Sequence, residues 1–142
     1  MYSNPVRRAA MDEAERTVRP TASGKVVLQQ EGPDGAPGFL IYMPVFDATA
    51  EVRRLRGFIY SPYNAGDFLA SAAELVDLQG MRLALYDGEP SEATLLAVIA
   101  GAEEGAGRAV VQDLRIANRP MKLQVRSLRN GSLSTTSMLV LL

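Results

Sequence analysis

Read for alternation and periodicity, the chain opens on a helix. Asn4-Pro5 sets a capping residue before a proline at the first helical position, and Val6, Ala9, Ala10, Glu13, Ala14 and Thr17 recur near helical spacing until Pro20 stops them. Lys25 to Glu31 is a brief β-prone run, and the stretch Gly32 to Gly38 has the glycine and proline content of a turn, so a hairpin follows. Its return strand, Phe39 to Phe46, is apolar on both alternating sets, Phe39/Ile41/Met43/Val45 and Leu40/Tyr42/Pro44/Phe46, which predicts cover on both faces. Pro44 places this strand near an edge or a bulge.

After a charged loop, Asp47 to Arg56, the segment Gly57 to Tyr63 predicts another aromatic strand. Asn64 with Asp67 three residues on makes a weak capping box, and Phe68, Leu69, Ala72, Ala73, Leu75 and Val76 mark one apolar face of a helix running to about Gln79 before Gly80. Met81 to Tyr86 reads as a strand, Asp87 to Pro90 as a turn, Ser91 to Ala100 as a short helix, and Gly101 to Gly107 as a glycine-rich loop. Val110/Gln112/Leu114/Ile116 and Met121/Leu123/Val125 alternate with other residues as two strands. Ala117-Asn118-Arg119 joins them, with Asn118 suited to the left-handed conformation of a tight hairpin. Strands arriving mostly in hairpins, with a helix across them, predict an α+β antiparallel sheet rather than a parallel doubly wound one. No repeat of fixed period is visible.

Composition narrows the function. At 142 residues, 47% hydrophobic and 22% charged, the chain has the make-up of a globular domain, or of two small layered modules. Fifteen basic residues face sixteen acidic ones, and 13 of the 15 are arginines scattered along the chain, so no basic stripe offers itself to nucleic acid. Without His, Cys or Trp there is no usual zinc site, thiol nucleophile or His-based triad. The acids Asp12, Glu13 and Glu15 could bind a hard cation, but beside Arg7, Arg8 and Arg16 they read as solvated helix pairs, and no metal site is expected. Gly101 to Gly107 lacks the Lys and Ser/Thr of a phosphate loop and carries two carboxylates; Asp47 reads as a turn initiator. A hydrolase lacks its parts, and no cofactor is expected.

Seven of the nine aromatics lie between Phe39 and Phe68. They form either a core cluster or the wall of a ligand pocket. Tyr42 and Tyr60 suit a pocket best, because each combines a flat apolar surface with a hydroxyl that needs a partner if buried, and Phe58 shares a strand face with Tyr60. The start of the chain has no signal peptide. After Ser137 the apolar run Met138 to Leu142 reads as a C-terminal strand or tail, or as the opening of a transmembrane helix.

Taken together, Asn4-Pro-Val-Arg-Arg-Ala-Ala-Met-Asp-Glu-Ala, Ser23-Gly-Lys-Val-Val-Leu-Gln-Gln-Glu, Gly38-Phe-Leu-Ile-Tyr-Met-Pro-Val-Phe, Arg56-Gly-Phe-Ile-Tyr and Leu85-Tyr-Asp-Gly resemble the CHASE domain family in order and spacing across residues 4 to 128. The resemblance implies two small PAS-like modules: the end of a membrane-distal ligand-binding module over 1–63, incomplete because its first strands and stalk helix would lie upstream, and a membrane-proximal module over 64–129. A tail over 130–142 would then open a second membrane span. It implies an extracytoplasmic, periplasmic sensor of an unknown small molecule, homodimeric in its parent, which would be a membrane-bound histidine kinase, nucleotide cyclase or diguanylate cyclase. The residues it brings to a distal pocket are Leu28, Tyr42, Pro44, Phe58 and Tyr60. Two departures are plain: Met121 stands where many relatives have Trp, and Asn118-Arg119 stands for their Gly-Arg pair. The competing expectation is a PAS-like dimerisation module whose aromatics are core or interface, with an exposed apolar patch.

Overall fold

A computed structural model describes residues 3–29, 35–49, 51–78, 80–100 and 107–127. The elements follow in the order α1 (Pro5–Thr17), β1 (Thr21–Ala22), β2 (Val26–Leu28), β3 (Ala36–Phe46), β4 (Leu55–Asn64), α2 (Ala65–Ala73), β5 (Met81–Tyr86), β6 (Leu95–Ala100), β7 (Ala109–Ile116) and β8 (Arg119–Ser127). The sheets are antiparallel with helices beside them, as an α+β reading expects. By its contacts the chain forms two compact units: Met1–Asn64 with the hairpin tip Arg115–Arg119, and Ala65–Leu114 with Pro120–Leu142.

In the first unit the predicted cap forms. The Asn4 side-chain oxygen accepts hydrogen bonds from the backbone N–H groups of Val6 (3.0 Å) and Arg7 (3.1 Å), and Pro5 starts α1. The helix stops at Val18, held in the left-handed region at φ 55°. Ala10, Met11 and Ala14 lie on one stripe and are buried with Val26, Leu40 and Tyr42.

β3 is the spine of this sheet. One side pairs with β1 (Thr21↔Tyr42) and then with β2 (Val26↔Gly38, Leu28↔Ala36), and the other with the full length of β4 (Leu40↔Pro62, Tyr42↔Tyr60, Pro44↔Phe58). Residues directly opposite in an antiparallel pair share a face. Leu40, Tyr42, Pro44, Phe58, Tyr60 and Leu28 therefore stand on the face that meets α1. The segment beyond Tyr42, which holds Pro44, has β4 as its neighbour on one side, and a register shift follows between Val45 and Phe46, in keeping with the edge or bulge position expected of that proline. The tip of the β7–β8 hairpin also belongs to this unit. Ala117 (φ 43°) and Asn118 (φ 62°) both take left-handed conformations, the Ala117 carbonyl accepts from the Ala22 N–H at 2.8 Å, and the Asn118 amide donates to the hydroxyls of Thr17 and Thr21.

The second unit is a four-stranded sheet in the order β6-β5-β8-β7. Leu83 and Leu85 stand opposite Val125 and Leu123, and these four are buried with Met121 and, from α2, Leu69. Lys122 bridges Asp113 (2.9 Å) and Glu89 (3.2 Å) on its surface.

Four expectations are corrected. β3 begins at Ala36, so Pro37 and Gly38 belong to the strand; Gly32 to Asp34 lie outside the described residues. Its second face is not covered along its length: Phe39 is buried against Tyr63 (ring centroids 5.6 Å apart), but Met43 and Val45 are exposed, with Ile59 of β4 beside them. The helix after Asn64 ends at Ala73 rather than near Gln79. The chain tightens there through i+3 bonds (Leu75 N–H to Ala72, Val76 N–H to Ala73), and Leu75 is 85% exposed, so the expected apolar face is covered at Leu69 but not at Leu75. Residues 91–100 are not helical. Ser91 to Thr94 closes a hydroxyl-bonded turn, and Leu95 to Ala100 pairs with β5 (Leu83↔Ile99, Ala84↔Val98). Residues 101–106 of the glycine-rich loop and the tail over 130–142, with its apolar run Met138 to Leu142, lie outside the described residues.

Candidate functional site

Where the first turn of α1 meets the sheet of the first unit there is a pocket of about 180 Å³, lined by Arg7, Val27, Leu28, Gln29, Leu40, Tyr60 and Pro62. Its walls follow from the register. Leu40 faces Pro62 across the β3–β4 ladder, Tyr60 is the next same-face residue of β4, and Leu28 closes the opposite side from β2. Arg7 stands three, four and seven residues before Ala10, Met11 and Ala14, which puts it on the helix stripe that faces the sheet. Gly38 leaves space at the wall: a Cβ there would meet the Tyr63 carbonyl oxygen and lie 2.7 Å from Leu28 Cδ1.

Tyr42 lies beside this pocket with no exposed surface, its ring 5.9 Å from that of Tyr60 and 6.1 Å, edge on, from that of Phe58. Its hydroxyl is buried and has no hydrogen-bond partner among the described residues; the same holds for Nε of Arg7. A buried hydroxyl left unpaired costs about 1–3 kcal/mol. Burial pushes the Tyr42 phenol above its ordinary pKa, the nearby Arg7 charge pulls it partly back, and Tyr60 adds a smaller upward push.

Of the five residues singled out in the sequence, Leu28 and Tyr60 line the pocket, and Tyr42 lies beside it. Pro44 and Phe58 share the same sheet face farther along the ladder, Phe58 packed against the core, and neither lines the pocket. The residues missed are Arg7, Val27, Gln29, Leu40 and Pro62. Arg7 had a readable signal, since it continues the apolar stripe of α1 as its one charged member.

Other candidates have structural accounts. Arg16 donates to Glu13 through two nitrogens (2.6 and 3.0 Å), which lowers the Glu13 pKa, on an exposed part of α1. Asp47 accepts from the N–H (3.3 Å) and hydroxyl (2.9 Å) of Thr49, as a turn-initiating aspartate does. Among the described residues no group of three or more acids forms a metal cluster, and no helix is long and apolar enough to cross a membrane.

A half-apolar pocket on an antiparallel sheet, with a cation and a phenol at its margin and without convergent acids or a nucleophile–base pair, is the equipment of a binding module. The CHASE domain family model matches residues 1–97, from before α1 into β6, and the chain belongs to that family of extracytoplasmic sensory, non-catalytic domains. The match leaves out residues 98–142. No curated protein matches the chain.

Proposed function

We propose that the chain is the small-ligand-sensing part of a membrane-bound receptor, lying on the extracytoplasmic (periplasmic) side and passing occupancy to a cytoplasmic histidine kinase, nucleotide cyclase or diguanylate cyclase. The first unit is the ligand-binding, membrane-distal module and the second the membrane-proximal one, with a homodimeric parent and membrane segments flanking them. The observation that carries this reading is the pocket between α1 and the sheet, because its lining joins a helix residue, Arg7, to residues of three strands.

That arrangement suits signalling. A ligand touching both layers favours the packing of α1 on β3 that fits it best, and only such differential affinity moves an equilibrium toward an active state. Tyr42 and Leu40 then transmit the change, since they are packed with Met11 and Ala14 beneath the helix.

The test is a thermal-shift screen of small organic molecules on the whole chain and on Leu28→Trp, whose indole fills the pocket. Compounds that raise the melting temperature of the wild type and lose their effect on Leu28→Trp support the reading. No protecting compound, or protection unchanged by Leu28→Trp, refutes it.

A second reading is supported by the outer face of the same sheet. Val27, Met43, Val45, Ile59 and Tyr63 share it by register and are all exposed, Ile59 to 67%. An apolar strip of this kind suits a dimerisation module. Self-association abolished by Ile59→Asp and Met43→Asp, with no ligand found, would favour that reading over the first.

A further inference from the structure

The Arg7 guanidinium at the pocket wall narrows the ligand class. Resting on the reading of this pocket as the ligand site, we infer that it takes a small carboxylate with a single-ring or branched apolar body, the carboxylate held by the Arg7 guanidinium.

Arg7 is half-buried, its Nε is shielded from water without an acceptor, and it has no ion-pair partner among the described residues. A desolvated cation in that state is costly unless an anion joins it, and a guanidinium presents a planar fork that matches a carboxylate with two parallel bonds. Among the described residues no carboxylate lines the pocket to repel an anion or to neutralise Arg7: Val27, Leu28, Leu40 and Pro62 are apolar, Gln29 is neutral, and Tyr60 offers a ring face. Size sets the body. The pocket's 180 Å³ slightly exceeds the roughly 150 Å³ that holds benzene and falls below the roughly 300 Å³ at which drug-sized sites begin, so one ring or a branched chain fits and a fused ring system with substituents does not. An inorganic anion would leave the apolar walls unused.

The experiment compares benzoate with benzamide, which share a shape and differ in charge, by titration calorimetry on the whole chain, Arg7→Met, Arg7→Lys and Leu28→Trp, each checked for folding by circular dichroism. Benzoate should bind the wild type about ten- to a hundredfold more tightly than benzamide, the ratio expected when a charge-assisted hydrogen bond is added. Arg7→Met should erase that preference and Arg7→Lys restore part of it. Equal or tighter binding of benzamide overturns the anion class but leaves the pocket as a ligand site. Failure of both compounds to bind the wild type, or binding that Leu28→Trp leaves unchanged, overturns the pocket reading as well. Should Arg7→Met not fold, the benzoate-to-benzamide ratio in Arg7→Lys decides alone: a lowered ratio supports the inference and an unchanged one overturns it.

Discussion

Tyr42→Phe should leave the ligand-free protein more stable. In most cores removing a tyrosine hydroxyl destabilises, because a hydrogen bond of about 1 kcal/mol is lost. Here the hydroxyl has no partner among the described residues, and its burial is a penalty of about 1–3 kcal/mol that the substitution removes. The ring stays, and with it the edge-on contact to Phe58 and the tilted contact to Tyr60. The net expectation is a gain of about 1 kcal/mol, or a rise of about 2–4 °C in melting temperature for a chain of this size. Urea melts and calorimetry on wild type and variant measure it directly, with the m-value checked so that a change in the unfolded state is not mistaken for a native one. A loss of about 1 kcal/mol or more without ligand would show that the hydroxyl is paired and refute the reasoning.

Four further outcomes are expected. Phenolate absorbance should show one of the five tyrosines ionising later than the others: the folded pKa of Tyr42 lies above its unfolded value of about 10, so its contribution to stability is full below about pH 10 and is lost as the pH rises through the folded pKa, a loss that Tyr42→Phe should reduce. Val18→Gly should stabilise by about 1 kcal/mol in urea melts, because a β-branched residue is held at φ 55° with its side chain largely exposed. Asn4→Ala should cost about 1 kcal/mol and Asn4→Gly less, measured the same way, by removing the oxygen that accepts from Val6 and Arg7. Gly38→Ala should destabilise by about 1–3 kcal/mol and, by pushing Leu28 into the pocket, weaken any ligand that the wild type binds.

What could be read from the sequence was whatever is settled locally. The Asn4-Pro5 start of α1, the left-handed Asn118 at a hairpin tip and the one-sided pairing around Pro44 each rest on backbone chemistry carried by a few adjacent residues. The strand at Leu95 to Ala100 was read as helix because a short apolar run fits both periods, and its pairing with Leu83 and Ala84 is a tertiary fact. The extent of α2 was overread for a related reason. Periodicity at Leu75 marks a potential apolar face, and only the fold decides whether a surface exists to receive it.

The site was readable in part. Tyr42 and Tyr60 were found because buried aromatic hydroxyls invite the question of their partners, and Leu28 because it sits on a matching strand. Arg7 was grouped with Arg8 and Arg16 as part of a solvated helix surface; its place on the stripe of Ala10, Met11 and Ala14 pointed inward, but that the stripe ends over a hollow depends on the packing of α1 against β2, β3 and β4. Pro44 and Phe58 lie on the right face at the wrong height, a distinction that alternation cannot make.

The central claim, that the first unit receives a guest between α1 and its sheet, is tested most directly by a methyl-resolved NMR map of the whole chain with a mixture of single-ring compounds. The methyl groups of Leu28 and Leu40 should shift together while those of Leu83, Leu96 and Leu123 in the second unit stay still. Unmoved Leu28 and Leu40 at millimolar compound, or shifts confined to the second unit, would contradict it.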